Sequence, residues 1–147
     1  MSIIEEVLDS LRKFSRLLLY IFTATFVHET GHLIMGLLTG MKIGIPVISL
    51  FVGVTPSYEA FPGLPFILTA YAGPIAALLF GIFIWRYSKV WALVSFFYSC
   101  LPNLWPFIPG SDAYQAVTIG GLGVEWAILI FIIAGAIVAE YVFELEK

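Results

Sequence analysis

Four apolar runs divide the chain: Leu17 to Leu38, Leu64 to Trp85, Val90 to Ile108 and Val124 to Phe143. Each is close to the roughly 20 residues a helix needs to cross a hydrocarbon core of about 30 Å. Ahead of the first run, Ile4, Val7, Leu8, Leu11 and Phe14 recur among Glu5, Glu6, Asp9, Arg12 and Lys13 at a helical period, which predicts an amphipathic helix over 1–16 lying on the membrane surface. Between the first two runs, Ile45 to Val54 is rich in β-branched and aromatic residues and is punctuated by Pro46 and Gly53. It is too short to span as a helix and suits one or two strands at the membrane surface. The pattern therefore predicts an all-α polytopic membrane protein with about four transmembrane helices, an N-terminal amphipathic helix and a short membrane-surface β segment.

Composition agrees. The chain is 61% hydrophobic and 12% charged, with a mean hydropathy of +1.00, outside the range of soluble globular domains. We treat residues 1–147 as a single membrane-embedded domain, with a three-span core over 17–116 and a fourth span and tail over 117–147. A cleavable signal peptide is not expected, because acidic residues precede the basic ones and no small-residue cleavage site follows a short apolar core. Cys100 is the single cysteine; it has no partner for an intrachain disulfide and reads as a small packing residue. The formal charge of −3 is too small to imply a nucleic-acid partner. The lipid bilayer is the partner the composition demands, and no oligomeric state follows from the sequence.

The first apolar run contains His28-Glu29-Thr30-Gly31-His32, which includes the only two histidines of the chain. On a helix, residues four apart share a face one turn from each other, so both imidazoles can reach one metal ion. Glu29 projects beside them, where a carboxylate can take a proton from a metal-polarised water and hand it to a leaving amine. Ionisable residues within a membrane span are costly to bury and point to function. A third ligand is expected at the same depth on another element. With spans in up-and-down order, the first and third run in the same direction, so the end of the third reaches the level of His32. That end reads Asn103-Leu104-Trp105-Pro106-Phe107-Ile108-Pro109-Gly110-Ser111-Asp112, and Asp112 is the only acidic residue between Glu59 and Glu125. Pro106 and Pro109 each lack a backbone donor, so the helix should break there, which a membrane tolerates only around a protein-lined or wet cavity. In the second run, Tyr71-Ala72-Gly73-Pro74 places small residues and a proline at mid-helix, a packing signal with little specificity of its own.

Taken together, HETGH in one span, AGP in the next and an Asn- and Pro-bearing segment ending in Asp resemble the site-2 protease family of intramembrane zinc metalloproteases. The resemblance covers roughly Leu17 to Ala116. It implies Zn2+ held by His28, His32 and Asp112, Glu29 as catalytic base or acid, Asn103 near the substrate, and transmembrane segments of other proteins as substrates. Asp112 is followed by Ala113 where the family usually has Gly, one extra residue separates Pro109 from Asp112, and Ala77 stands where an Asn often follows AGP. No PDZ-like or CBS-like module is expected, which makes this a minimal form. Arg12, Lys13, Arg16, Arg86, Lys89 and Lys147 fall on one side of a four-span arrangement with only Lys42 opposite. The positive-inside rule then puts the motif-bearing ends outside, whereas the family implies a site nearer the cytosol. A catalytically silent, metal-binding scaffold for a membrane partner is the alternative from a different class. A metal transporter fits less well, because the chain shows one polar cluster and no repeated halves.

Overall fold

From Ile3 to Leu38 the sequence contains no proline, and its only glycines are Gly31 and Gly36. The computed structural model, which describes residues 3–41 and 62–145 together with the backbone of two short strands, accordingly shows one unbroken helix, α1 (Ile3–Leu38). At 1.5 Å per residue its 36 residues extend about 54 Å. This corrects the expected separate surface helix over 1–16. The amphipathic segment forms the first turns of α1, because the residues around Arg16 are good helix formers with nothing to stop propagation. An ion pair between Lys13 Nζ and Asp9 at 2.6 Å supports those turns from the exposed side.

The strands β1 (Val47–Ser49) and β2 (Gly53–Thr55) pair antiparallel, with Val47 opposite Thr55, and β2 lies against α1. The rest of the expected β run, including Ile45, Pro46, Leu50, Phe51 and Val52, lies outside the described residues, as do Lys42, Glu59 and Lys147.

The helix α2 (Leu64–Ile84) begins with Pro65 in its first turn, where a missing N–H costs nothing, and packs against α1. The buried positions of α1 are Ala24, His28, His32 and Gly36. Their four-residue spacing forms a single stripe facing α2. Contact is close: a Cβ on Gly31 would meet Ala76 Cβ at 2.8 Å and run into the Ala72 carbonyl oxygen. Small residues thus let two membrane helices approach until backbone and ring are in van der Waals contact.

The third apolar run is not one regular helix. It comprises α3 (Lys89–Val94), a π-helical stretch over Ser95–Cys100 and α4 (Leu101–Leu104). The Leu101 N–H bonds the Phe96 carbonyl five residues back. Pro102, which has no N–H for the Tyr98 carbonyl, follows immediately. The run ends at Leu104 rather than at the expected Ile108. Trp105 precedes Pro106 and takes the extended φ −82°, ψ 113° that such a position favours. Residues 105–111 turn back, α5 (Asp112–Thr118) follows, and α6 (Val124–Phe143) closes the structure. The helices long and apolar enough to cross a membrane are α1, α2 and α6. The third expected span, Val90 to Ile108, falls on the interrupted α3–π–α4 segment, which is not one of these helices.

The core between these helices is built from small residues around a few large ones. Ala24, Ala77, Ala92, Ala113, Ala116 and Ala127 are fully buried, as is Phe96, which fills the space a side chain on Gly81 would need. Trp85, Phe96 and Tyr141 form an aromatic cluster linking α2, the π-helical stretch and α6. Trp105 packs edge-on against Phe131 at 4.7 Å, which fixes the end of the interrupted segment to α6.

Candidate metal centre

His28 and His32 are both 5% exposed and lie on the face of α1 that meets α2. Their rings stand edge to face, with Nε2 atoms 3.0 Å apart. Asp112 arrives from the first turn of α5. His28 Nε2 lies 3.1 Å from its Oδ2, and His32 Nε2 lies 3.4 Å from its Oδ1. The structure thus brings together three of the residues singled out from the sequence, with one ligand atom of each within 4.8 Å of the others.

Each ligand is held by its surroundings. His32 Nδ1 is 2.7 Å from the Thr69 carbonyl oxygen on α2. A carbonyl only accepts, so Nδ1 carries the proton and donates, which leaves a lone pair on Nε2 facing the cluster. The ring lies so close to α2 that a Cβ on Gly73 would collide with it, approaching Cε1 to 2.6 Å and Cδ2 to 2.7 Å. Asp112 is placed by Ser111, whose hydroxyl donates to the Trp105 carbonyl at 2.8 Å and accepts from the Tyr114 N–H at 3.1 Å. One side chain therefore both closes the 105–111 turn and caps α5.

The donor set fits a zinc ion. Asp112 Oδ2, although near His28 Nε2, is buried and has no aligned hydrogen bond among the described residues. A lone-pair nitrogen of His32, the second imidazole and a carboxylate turned toward one another repel unless a proton or a metal cation lies between them. Two nitrogens and a carboxylate oxygen suit Zn2+, with a fourth position left for water or substrate. With one ligand atom taken from each residue, the three lie within 4.8 Å of one another, close enough to share one ion with ligands about 2.0 Å away.

Glu29 follows His28 on α1 and is half-buried, so one side of it remains accessible. It is near enough to His32 and Asp112 for their electrostatics to act on it. Asn103 is placed differently. Its amide donates to the Ser99 carbonyl at 3.1 Å, one turn back on its own segment, and not to the three-residue cluster.

A family model described as Peptidase M50B-like matches residues 11–142. The chain belongs to that family. It is a membrane protein of the site-2 protease type. No curated protein and no solved structure matches it.

Several residues that seat this peptidase site are not evident from the motif. Thr69 acts through its backbone, which sequence does not advertise. Gly73 belongs to the AGP element, whose small residues signal close packing without saying against what. Ser111 carries the ordinary signature of a helix N-cap, a serine just before an acidic first turn, and that signal was available. Tyr71, on the same helix as Thr69 and Gly73, buries a phenol whose hydroxyl has no partner among the described residues.

Proposed function

We propose that this M50B-like protein is an intramembrane zinc endopeptidase that hydrolyses peptide bonds in or near the transmembrane segments of other membrane proteins. The observation that carries this reading is the convergence of His28, His32 and Asp112 on one point beside Glu29, on an apolar helix long enough to span a bilayer.

His28 and His32 through Nε2, and Asp112 through its carboxylate, would hold the ion. When bound, Zn2+ supplies Lewis-acid polarisation of a peptide carbonyl and lowers the pKa of water toward about 7. Glu29 takes the proton released as the water oxygen attacks the carbonyl carbon. It returns that proton to the amide nitrogen as the C–N bond breaks, so one water is consumed and a carboxyl and an amine are formed. A membrane helix shields its own carbonyls, so the scissile stretch must unwind before it can enter. The break over 105–111 puts irregular backbone next to the third ligand, where an extended segment can be received. Asn103, at the start of that break, is the residue we assign to the substrate side. The chain is accordingly multi-pass, with the interrupted α3–π–α4 segment as a fourth crossing.

The test is zinc content and cleavage measured on the same purified protein. Wild type should hold one zinc and cleave a reporter transmembrane segment. Glu29→Gln should keep the zinc and lose cleavage by several orders of magnitude. Loss of zinc is expected in both His32→Ala and Asp112→Ala. Wild type that holds zinc but cleaves no better than Glu29→Gln across a set of transmembrane reporters would instead identify a silent metal-binding scaffold.

A further inference from the structure

His32 has its second ring nitrogen anchored by the Thr69 carbonyl, but His28 Nδ1 is buried and has no partner among the described residues. A metal-binding imidazole almost always donates this second N–H, which fixes its tautomer and aim. A buried ring nitrogen left without a partner also costs about 1–3 kcal/mol, so one should be close by. The Ser99 hydroxyl, 3% exposed, is likewise buried and unpartnered.

Two independent registers bring Ser99 to the level of the histidine pair. Tyr20 of α1 stacks on Trp91 of α3 with ring centroids 4.9 Å apart. His28 and Ser99 each lie eight residues further along their own segments, and α1 contacts the π-helical stretch directly. The second register runs through α2. Phe80 meets Trp91 edge-on at 5.7 Å, and the Ser95 hydroxyl donates to the Ala77 carbonyl at 2.7 Å, so these two segments are antiparallel. One turn beyond that bond, Ser99 falls opposite Gly73, the residue against which the His32 ring rests. Ser95, Phe96, Ser99 and Cys100 are buried, while Phe97 and Tyr98 are exposed, so Ser99 lies on the inward face.

We propose that Ser99 is a positioning residue for the metal site: when the ion is bound, its hydroxyl, unpartnered here, turns to accept the His28 Nδ1–H and so holds the His28 Nε2 lone pair toward the ion. This gives the π-helical stretch a purpose, since such departures from α geometry frequently sit at functional sites. The hydroxyl can then pass its own proton to a neighbouring acceptor, leaving no orphan.

The inference rests on the zinc reading, and the experiment separates the two. Full-length protein in detergent is titrated with Zn2+ against a competing chelator, and the histidine ring N–H protons of the zinc-loaded protein are followed by NMR. Ser99→Ala should weaken zinc about tenfold and move or erase the His28 Nδ1–H signal, while the His32 Nδ1–H signal stays in place because the Thr69 carbonyl is untouched. Ser99→Thr, which keeps the hydroxyl, should restore the His28 signal. Unchanged zinc affinity or an unchanged His28 signal in Ser99→Ala would overturn the role of Ser99. So would equal shifts at both histidines, because that pattern indicates general loosening. Wild type that binds no zinc would remove the metal reading and this inference with it.

Discussion

Gly73→Ala is the most economical test of how this site is built, because it adds one methyl group to a residue that is not itself a ligand. The new Cβ would overlap His32 Nε2 and lie 2.6 Å from Cε1 and 2.7 Å from Cδ2, about 1 Å inside ordinary carbon contact. The obstacle is an aromatic ring rather than a flexible chain end, and the ring is tethered by its 2.7 Å bond to the Thr69 carbonyl. It can yield only by rotating away from both that carbonyl and the cluster, or by parting α1 from α2. Overpacking of this kind costs about 1–3 kcal/mol, against which alanine regains up to about 1 kcal/mol of helix propensity. The metal-free protein should therefore lose no more than about 2 kcal/mol and remain folded. Zinc should suffer more, since losing the aim of one ligand lowers affinity by about 10–100-fold. Chelator competition measures the affinity, and thermal unfolding of the metal-free protein measures the fold. Gly135→Ala in α6 is the control, because a Cβ there meets nothing within 4 Å, and it should be neutral or slightly stabilising. Zinc affinity in Gly73→Ala equal to that of wild type would refute the placement of His32 against α2.

Ser111→Ala removes both the N-cap of α5 and the bond to the Trp105 carbonyl; it should destabilise the protein by about 1–2 kcal/mol and weaken zinc, as read by unfolding and by chelator competition. Ala113 is helical and fully buried, so Ala113→Gly, which creates the Asp-Gly pair usual in the family, should cost about 1 kcal/mol in an unfolding measurement without raising zinc affinity. Zinc removal should raise amide hydrogen exchange over 105–114, whose link to α1 runs through Asp112, and leave the α1–α2 contact around Ala24, Gly31 and Ala72 protected.

Much of the site was legible because its signals are local. His28 and His32 are fixed by one helical turn, and no break in the sequence disturbs that turn. Asp112 was found by a topological argument, that the first and third segments run in the same direction, combined with the scarcity of acidic residues over 60–124. The break after Leu104 follows from Trp105 preceding Pro106, a restriction that acts between neighbours. At one departure in the distal motif the backbone makes no demand for glycine: Ala113 is helical.

What sequence did not reveal depends on register between segments far apart in the chain. Whether residues 1–16 lie on the membrane or continue the first span turns on whether anything stops a helix at Arg16. An amphipathic pattern describes a face, and the same face is compatible with a separate helix or with the first turns of a longer one. Gly73 shows the difficulty most plainly. Its smallness suits any close helix crossing, and only the pairing of His32 with Thr69 and Gly73 shows that the space is reserved for a ligand's ring. The same holds for Ser99, an unremarked serine in an apolar run until the stacking of Tyr20 on Trp91 sets it level with His28. The three clustered side chains are ones the sequence displays, whereas the Thr69 carbonyl and the missing side chain of Gly73 that seat His32 become visible only once the helices are in contact.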